Sequence, residues 1–329
     1  MEGSSYKGGR VAVRRVALLA VLVASGVGLG AGCGDSAEPS GPTVAQRVTR
    51  EFGHKPVGHE ENAPLEGHRT VLRLLKAYEE VKTSSGGSAV SSIDGLKADW
   101  ERTSEDDDQT TWSLNVNGIE ADLGPAEYKL HPGDVVQWDL RDWYVTLDVR
   151  AMVGAFPQTF SRGVFGKRFP VTVECARRSA TACAHVKGAL RDAGVPIDGS
   201  PPAGGLPPRG EVRRARVLVG PWRRWRQRTM SRVLDAGPRY SGIFARFSPG
   251  AGALRLLDWN AHRVRTVGAG TGLLGAIRPT EEDLLWLVTG VDERGVERAA
   301  RALTSPQSQG AYAVAVTDAG IEKLPLAPR

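Results

Sequence analysis

The N-terminal segment constrains the chain most, because its layout removes it from any folded domain. An apolar run from Val16 to Val23 is followed by small residues from Ala24 to Gly32. The basic residues before the run are Arg10, Arg14 and Arg15. This order of basic, apolar and small residues is typical of a secretory signal peptide. The apolar run is too short to span a bilayer, which takes about 20 apolar residues. We therefore predict that residues 1–32 are an export signal.

The small residues lead into a cysteine, in the run Leu29-Gly30-Ala31-Gly32-Cys33. This run resembles the bacterial lipobox, in which small residues precede a Cys that is acylated before cleavage, although Gly30 stands where Leu is commoner. Residues 34–42 are rich in Gly, Ser and Pro, which is typical of a flexible tether. We predict a lipoprotein held on the extracytoplasmic face of the cell membrane by a lipid such as palmitate on Cys33, with residues 33–42 as its tether. The alternative is an ordinary signal peptide with an incidental cysteine.

Charge is uneven over the 297 residues that follow the signal. Residues 41–150 hold 12 basic and 20 acidic residues, whereas residues 151–329 hold 27 basic and 14 acidic residues. Net charges of −8 and +13 indicate two domains of different surface character, which we place at 43–150 and 151–329. A basic face beside an anionic membrane is one interpretation, and docking of the two domains on each other is another. The net charge without the signal is only +3, which together with export argues against nucleic acid as a partner.

Two cysteines remain once Cys33 is assigned to a lipid. An even pair in an exported protein is typical of a disulfide, because the compartment is oxidising. Cys175 ends a predicted strand that runs from Phe169 to Glu174. Cys183 lies early in a predicted helix from Ser179 to Asp192, so a bond between the two cysteines would tie helix to strand. We predict this disulfide, with two reduced buried thiols as the alternative. No further Cys and no well-spaced His completes a set of four ligands, so we predict no metal site.

The region up to about residue 150 has the pattern of a small α+β unit. Apolar residues at even spacing predict one face of a strand, at Val44, Val48 and Phe52. The polar stretch from Gly53 to Gly67 predicts a loop. Thr70 is the predicted N-cap of a helix whose apolar stripe ends at Tyr78. Asn117-Gly118 predicts a tight turn. Short strands are predicted at Ala89–Ile93, Trp112–Val116, Ile119–Leu123 and Val135–Leu140.

Three groups of residues in this region resemble a known domain. They are Ser92-Ile93-Asp94-Gly95-Leu96, Trp112-x-Leu114-x-Val116-Asn117-Gly118, and Tyr128 followed by Gly133-Asp134-Val135-Val136-Gln137-Trp138. Their order and spacing are similar to those of the C-terminal β-domain of transcobalamin and intrinsic factor, and most of all to its bacterial relatives, a domain family of unknown function. The resemblance implies a small β-grasp-like N-terminal domain.

In the eukaryotic carriers, this domain closes over a corrinoid held against a separate helical barrel. The resemblance therefore implies a cobalamin-like corrinoid or similar small molecule as the ligand. It also implies a partner, an uptake transporter or a separate helical-barrel protein, because this chain has no such barrel. Tyr128 is the first ligand-facing candidate, since it lies in a loop between predicted strands where an aromatic ring can meet a flat macrocycle. Trp112 and Trp138 are further candidates. Core packing is the alternative for all three.

Alternating strands and helices are predicted from about residue 152 to residue 329, which indicates a mixed α/β C-terminal domain. The run Gly270-x-Gly272-x-x-Gly275 matches the dinucleotide-binding fingerprint, but Pro279 would stop the helix that the fingerprint requires, so we predict a flexible loop there. The run from Trp222 to Arg228 predicts a helix. It is either a basic amphipathic helix or an ordinary one whose tryptophans pack on a sheet.

No catalytic constellation emerges from the sequence, which has no Gly-x-Ser-x-Gly, no His-Glu-x-x-His and no supported acid pair. We predict a non-enzymatic small-molecule binding or transporter-accessory lipoprotein with no cofactor of its own. The alternative is a structural envelope lipoprotein that binds another protein and no small molecule.

Overall fold

The computed structural model describes residues 41–99, 109–142, 149–228 and 231–328, and Cys33 lies outside them. The described part is sheet-rich and of α+β class. Its helices are α1 (Val71–Tyr78), α2 (Gln158–Ser161), α3 (Ala180–Asp192), α4 (Trp222–Trp225), α5 (Arg232–Ala236), α6 (Pro238–Ser241) and α7 (Glu293–Ala302). Its strands are β1 (Thr43–Arg50), β2 (Lys55–Pro64), β3 (Val81–Ser84), β4 (Ala89–Ile93), β5 (Leu96–Lys97), β6 (Thr110–Val116), β7 (Ile119–Glu120), β8 (Val135–Asp142), β9 (Val171–Cys175), β10 (Arg214–Val219), β11 (Ala245–Phe247), β12 (Leu254–Leu257), β13 (Arg263–Val267), β14 (Gly272–Ile277), β15 (Asp283–Gly290), β16 (Ala313–Thr317) and β17 (Gly320–Leu324).

The described helices are all too short or too polar to cross a membrane. The contacts among the described residues form one compact unit, and the predicted domain division near residue 150 stays a prediction.

The N-terminal sheet has the strand order β2-β1-β8-β6-β7. β1 and β8 are parallel, whereas the other neighbours are antiparallel. A second small sheet, β3-β4-β5, follows α1. The predicted helix cap is confirmed, because the Thr70 hydroxyl accepts a hydrogen bond from the Arg73 N–H. Alternate residues of β1, β6 and β8 bury their side chains with those of α1 in one core. This core places Trp112 and Trp138 on the helix-facing side of the sheet.

The predicted tight turn at Asn117-Gly118 is confirmed. Both residues have positive φ, 53° for Asn117 and 76° for Gly118, as a two-residue hairpin requires. The Asn117 amide donates to the Asp134 carboxylate at 2.8 Å and accepts from the Val135 N–H at 2.9 Å. The Asn-Gly and Gly-Asp motifs of the resemblance are thus structural, because they tie the turn to the start of β8.

The C-terminal region is built on a six-stranded mixed sheet of order β17-β16-β14-β15-β10-β9. β9, β10 and β15 are parallel, so their carboxyl ends meet at one edge. Apolar residues cover both faces of this sheet, with α3 and α7 on one side and the small sheet β11-β12-β13 on the other. Cys175 and Cys183 are joined by a disulfide with a Cα separation of 5.9 Å, which ties α3 to the end of β9 as predicted.

Two expectations for the start of the chain are wrong. The polar stretch predicted as a loop contains β2, which pairs with β1 and is mostly exposed. An exposed edge strand of this kind does not need an apolar face. Its sequence therefore lacks the alternation of apolar and polar residues that would predict a strand. Phe52 does not continue the face of β1. Its φ is 58°, and its ring packs 5.1 Å from that of Phe244 in the C-terminal core.

The predicted flexible loop at Gly270 to Gly275 is also wrong, because most of this run belongs to β14. A side chain at Gly272 would collide with the Gly295 carbonyl oxygen and lie 2.9 Å from the Ala299 nitrogen. The glycines therefore allow α7 to approach the sheet closely. Since the run forms a strand with no helix after it, it is not a dinucleotide-binding turn.

The tryptophans at the start of the Trp222 run pack inside the domain. Trp222 stacks on Phe247 at 5.2 Å, and Trp225 is buried in the same core. The helix α4 ends at Trp225, while Arg223 and Arg224 point outward. α4 is therefore an ordinary helix whose tryptophans pack on a sheet, and not a basic amphipathic helix.

Candidate functional site

A groove of about 450 Å³ lies along the outer edge of β6. Ser88 and Val90 form one wall, and the segment from Glu120, the last residue of β7, to Pro125 forms the other. The walls approach closely where Gly124 meets the backbone of Ser88, because a Cβ at Gly124 would lie 3.1 Å from the Ser88 carbonyl oxygen. The volume lies within the range of about 300–1,000 Å³ that is usual for ligand sites.

Two of the three aromatic candidates from the sequence line this groove. Trp112 donates its indole N–H to the Leu96 carbonyl at 3.3 Å. The Trp138 indole N–H is buried and has no hydrogen-bond partner among the described residues. Trp138 is only 1 % exposed and Trp112 is 7 % exposed, so both rings pack mainly in the core of the N-terminal sheet and contribute little exposed area to the groove.

The backbone of β6 is open toward the groove. The Thr110 N–H donates to the Asp99 carbonyl, and the Leu114 carbonyl accepts from the Ala121 N–H, both on the outer side of β6. Because backbone groups alternate between the two edges of an antiparallel strand, those of Trp112 point to this same side. Within the described ranges, no strand pairs with β6 between Thr110 and the start of its pairing with β7. The groove therefore offers backbone donors and acceptors beside aromatic rings.

Charged residues line the end of the groove near β7. The carboxylates of Glu120 and Asp122 both lie there, with the buried Arg141 guanidinium 3.7 Å from Glu120. Asp122 accepts from Arg278 at 3.0 Å and lies 3.5 Å from Arg150. Bonds to Glu281 raise the pKa of Arg150, which keeps it cationic. The acidic end of the groove is thus held by Arg141 and Arg150, and by Arg278 from beyond the predicted domain boundary.

A buried carboxylate supports the strand that carries Trp138. Asp139 accepts hydrogen bonds from the Thr49 hydroxyl at 2.7 Å, the Gly53 N–H at 3.0 Å and the Tyr312 hydroxyl at 3.0 Å. Burial raises the pKa of Asp139, while these bonds and the nearby Arg141 oppose the rise. The bond from Tyr312 fixes β8 against the C-terminal sheet.

Tyr128 lies away from the groove, in the core of the N-terminal sheet. Its ring is 3 % exposed and packs 4.7 Å from the ring of Phe165. Burial raises the pKa of its phenol, so the group stays neutral. Tyr128 therefore packs in the core, which was the alternative to ligand binding in the sequence analysis.

Sequence reasoning missed the charged part of the groove. Glu120 and Arg141 carry no motif, although their places at the ends of short predicted strands are a weak signal. Three histidines near the start of the described region do not form a common metal site. His54 contacts the Pro325 carbonyl, His59 contacts Glu61, and His68 contacts the Pro64 carbonyl. Within the described ranges, no group of His, Cys, Asp or Glu is arranged to hold a metal ion.

Residues 68–142 match the model of a family described as a domain of unknown function, DUF4430. The match begins just before α1 and ends with β8, so the whole groove lies inside it. This agrees with the predicted domain family of unknown function. No curated protein matches the chain.

Proposed function

We propose that this protein is a lipoprotein anchored through Cys33 on the extracytoplasmic face of a bacterial membrane, where the groove beside β6 binds a small molecule. The observation that carries the binding role is the groove itself. It places Trp112 and Trp138, two aromatics from the transcobalamin-like motifs, beside the open outer edge of β6. The role is non-enzymatic, as a binding or accessory protein beside an uptake transporter.

The N-terminal region, on this proposal, is a β-grasp-like domain. The strand order β2-β1-β8-β6-β7 supports this. β1 and β8 are parallel neighbours at the centre of the sheet, and α1 lies in the chain between the hairpins β1-β2 and β6-β7. A corrinoid is the ligand that the resemblance implies. Since a corrinoid is a large macrocycle, a groove of about 450 Å³ covers only part of it. A separate helical-barrel protein would cover the rest.

One observation favours the alternative, a structural envelope lipoprotein that binds another protein. The open edge of β6 at Trp112 is suited to pairing with an extended peptide, which adds a strand to an exposed sheet edge. A peptide would use the backbone groups of β6 and would not need the indole of Trp138. The ligand experiment below separates the two functions.

Cys33→Ala is expected to abolish lipidation and release the protein from membranes, because the thioether to the lipid requires that sulfur. The measurement is labelled fatty acid incorporation in a bacterial host, followed by membrane fractionation. Ser36→Ala, in the same predicted tether, is the matched control and should keep both the label and the membrane association. Incorporation of label into Cys33→Ala would show that the anchor is assigned to the wrong residue.

Corrinoid binding by the chain alone is expected to be micromolar or poorer, roughly −8 kcal/mol or less favourable, because a lone groove buries little of the ligand. Calorimetry with cobalamin and its precursors measures it. Leu123 lines the groove and is 41 % exposed, so Leu123→Asp should weaken binding about tenfold without unfolding the protein.

Tyr240→Asp introduces the same charge at a residue that is 61 % exposed and does not line the groove, and it should leave binding unchanged. Adding a helical-barrel partner should tighten binding. If no corrinoid produces heat with the wild type, with or without a partner, the structural envelope function replaces the small-molecule one.

A further inference from the structure

A second cavity, of about 350 Å³, lies at the carboxyl ends of β9 and β10. Arg177 and Arg178 reach it from the connection between β9 and α3, and Arg223 and Arg224 reach it from α4. These elements come from two successive strand-to-helix connections of a parallel pair. In open α/β sheets, ligands bind at the carboxyl ends of the parallel strands. The cavity therefore has the position of a ligand site in this sheet.

Among the described residues, few carboxylates lie near the arginines of this cavity. None of the four arginines forms an ion pair with a carboxylate in the part of the chain that the structure describes, and all four are exposed. Arg228 nearby is different, because it pairs with Glu174 at 2.8 Å. Glu293 is the acidic residue at the cavity, and it accepts a hydrogen bond from the Ser179 hydroxyl. Four cations therefore face one carboxylate, which leaves an excess of positive charge at the cavity.

The arginines are also held in place by buried neighbours. The disulfide between Cys175 and Cys183 closes the loop that carries Arg177 and Arg178. The tryptophans at both ends of α4 are buried in the core, which fixes the two arginines between them on the outer surface. Like charges that line one cavity repel each other, so gathering these four cations costs free energy in the absence of an anion. An anion in the cavity would remove that cost.

We propose that this cavity binds the phosphate group of a phosphate ester. The guanidinium of Arg donates paired N–H groups in a fork that matches phosphate oxygens, and several arginines together attract an anionic phosphate more strongly than one does. The volume admits the phosphate with part of the group to which it is esterified. The ester is either the headgroup of an anionic phospholipid or a soluble phosphorylated molecule. This site is separate from the groove beside β6 and does not depend on its ligand.

The test uses the full chain with two pairs of substitutions, Arg177→Gln with Arg178→Gln, and Arg223→Gln with Arg224→Gln. Arg255→Gln with Arg263→Gln is the matched control, since both of these arginines are exposed and neither lines the cavity. Calorimetry with glycerol phosphate reports on soluble phosphate esters. Sedimentation with phosphatidylglycerol vesicles, compared with phosphatidylcholine vesicles, reports on headgroups. The N-terminal segment is the same in every variant, so it does not affect the comparison.

Each pair of cavity substitutions should weaken binding about tenfold or more, because each removes two charged hydrogen-bond donors. The control should change binding less than about twofold, as expected for distant exposed charges. If the cavity variants bind the soluble ester more weakly than the wild type does, the ligand is a soluble phosphate ester. If their binding is weakened only for phosphatidylglycerol vesicles, the ligand is a lipid headgroup. The proposal is overturned if the wild type binds neither probe, or if the control weakens binding as much as the cavity substitutions. Thermal melts by circular dichroism should show that all the variants are folded.

Discussion

Arg278→Ala is expected to lower the free energy of unfolding by about 3 kcal/mol, because it leaves the largely buried Glu211 carboxylate and the Gly210 carbonyl without their cationic partner. The Arg278 side chain is fully buried. It donates to the Asp122 carboxylate at 3.0 Å and to the Gly210 carbonyl at 2.9 Å, and it lies 3.9 Å from Glu211. Burial raises the pKa of Glu211, while Arg278 opposes the rise, so removal of Arg278 makes the Glu211 carboxylate still more costly to bury. Urea unfolding followed by tryptophan fluorescence measures the loss.

Arg294→Ala is the control, because Arg294 and its partner Asp318 are both largely exposed and their ion pair should contribute less than about 1 kcal/mol. Arg278→Lys should recover part of the stability, since lysine restores the charge without the planar fork. Because Asp122 also lines the groove, Arg278→Ala should also weaken the binding of any ligand in the groove. A loss no larger than that of Arg294→Ala would mean that the arginine does not hold the two regions together.

Replacing both Cys175 and Cys183 by alanine is expected to cost about 2–3 kcal/mol, the loop-closure entropy of a short loop. The two cysteines are 8 residues apart, and Cys183 lies on the buried side of α3, in the core. The loop between them carries Arg177 and Arg178, so the double variant should also bind phosphate esters more weakly. Chemical denaturation gives the stability, and mass spectrometry of an unreduced digest gives the connectivity.

Reductant supplies the internal control for this second prediction. It should lower the stability of the wild type by a similar amount and leave the double alanine variant unchanged, because that variant has no bond to reduce. If the wild type is equally stable with and without reductant, the disulfide contributes no stability. Finding both cysteines open to alkylation after denaturation would mean that the bond is absent.

Local patterns in the sequence were enough to predict most elements of this protein. The Thr70 cap, the Asn117-Gly118 turn and the alternating residues of β6 and β8 each depend on neighbours within a few positions, so their signals survive without the fold. The disulfide was also predictable, because Cys175 and Cys183 are the pair that remains once Cys33 is assigned to a lipid, and only 8 residues separate them. These features depend on backbone conformation and on burial along one element.

The two candidate sites depend on contacts between distant segments, and no local pattern encodes those. The groove forms because β6 has an open edge next to β4, and Arg278 reaches its acidic end from far along the chain. The arginine cavity forms because β9 and β10 are parallel neighbours, which brings two Arg-Arg pairs together. Likewise, β2 is a strand because β1 pairs with it, and the glycines of β14 serve the approach of α7. The local sequence determines where helices and strands begin and end. Strand pairing and packing between distant segments determine which polar side chains come together.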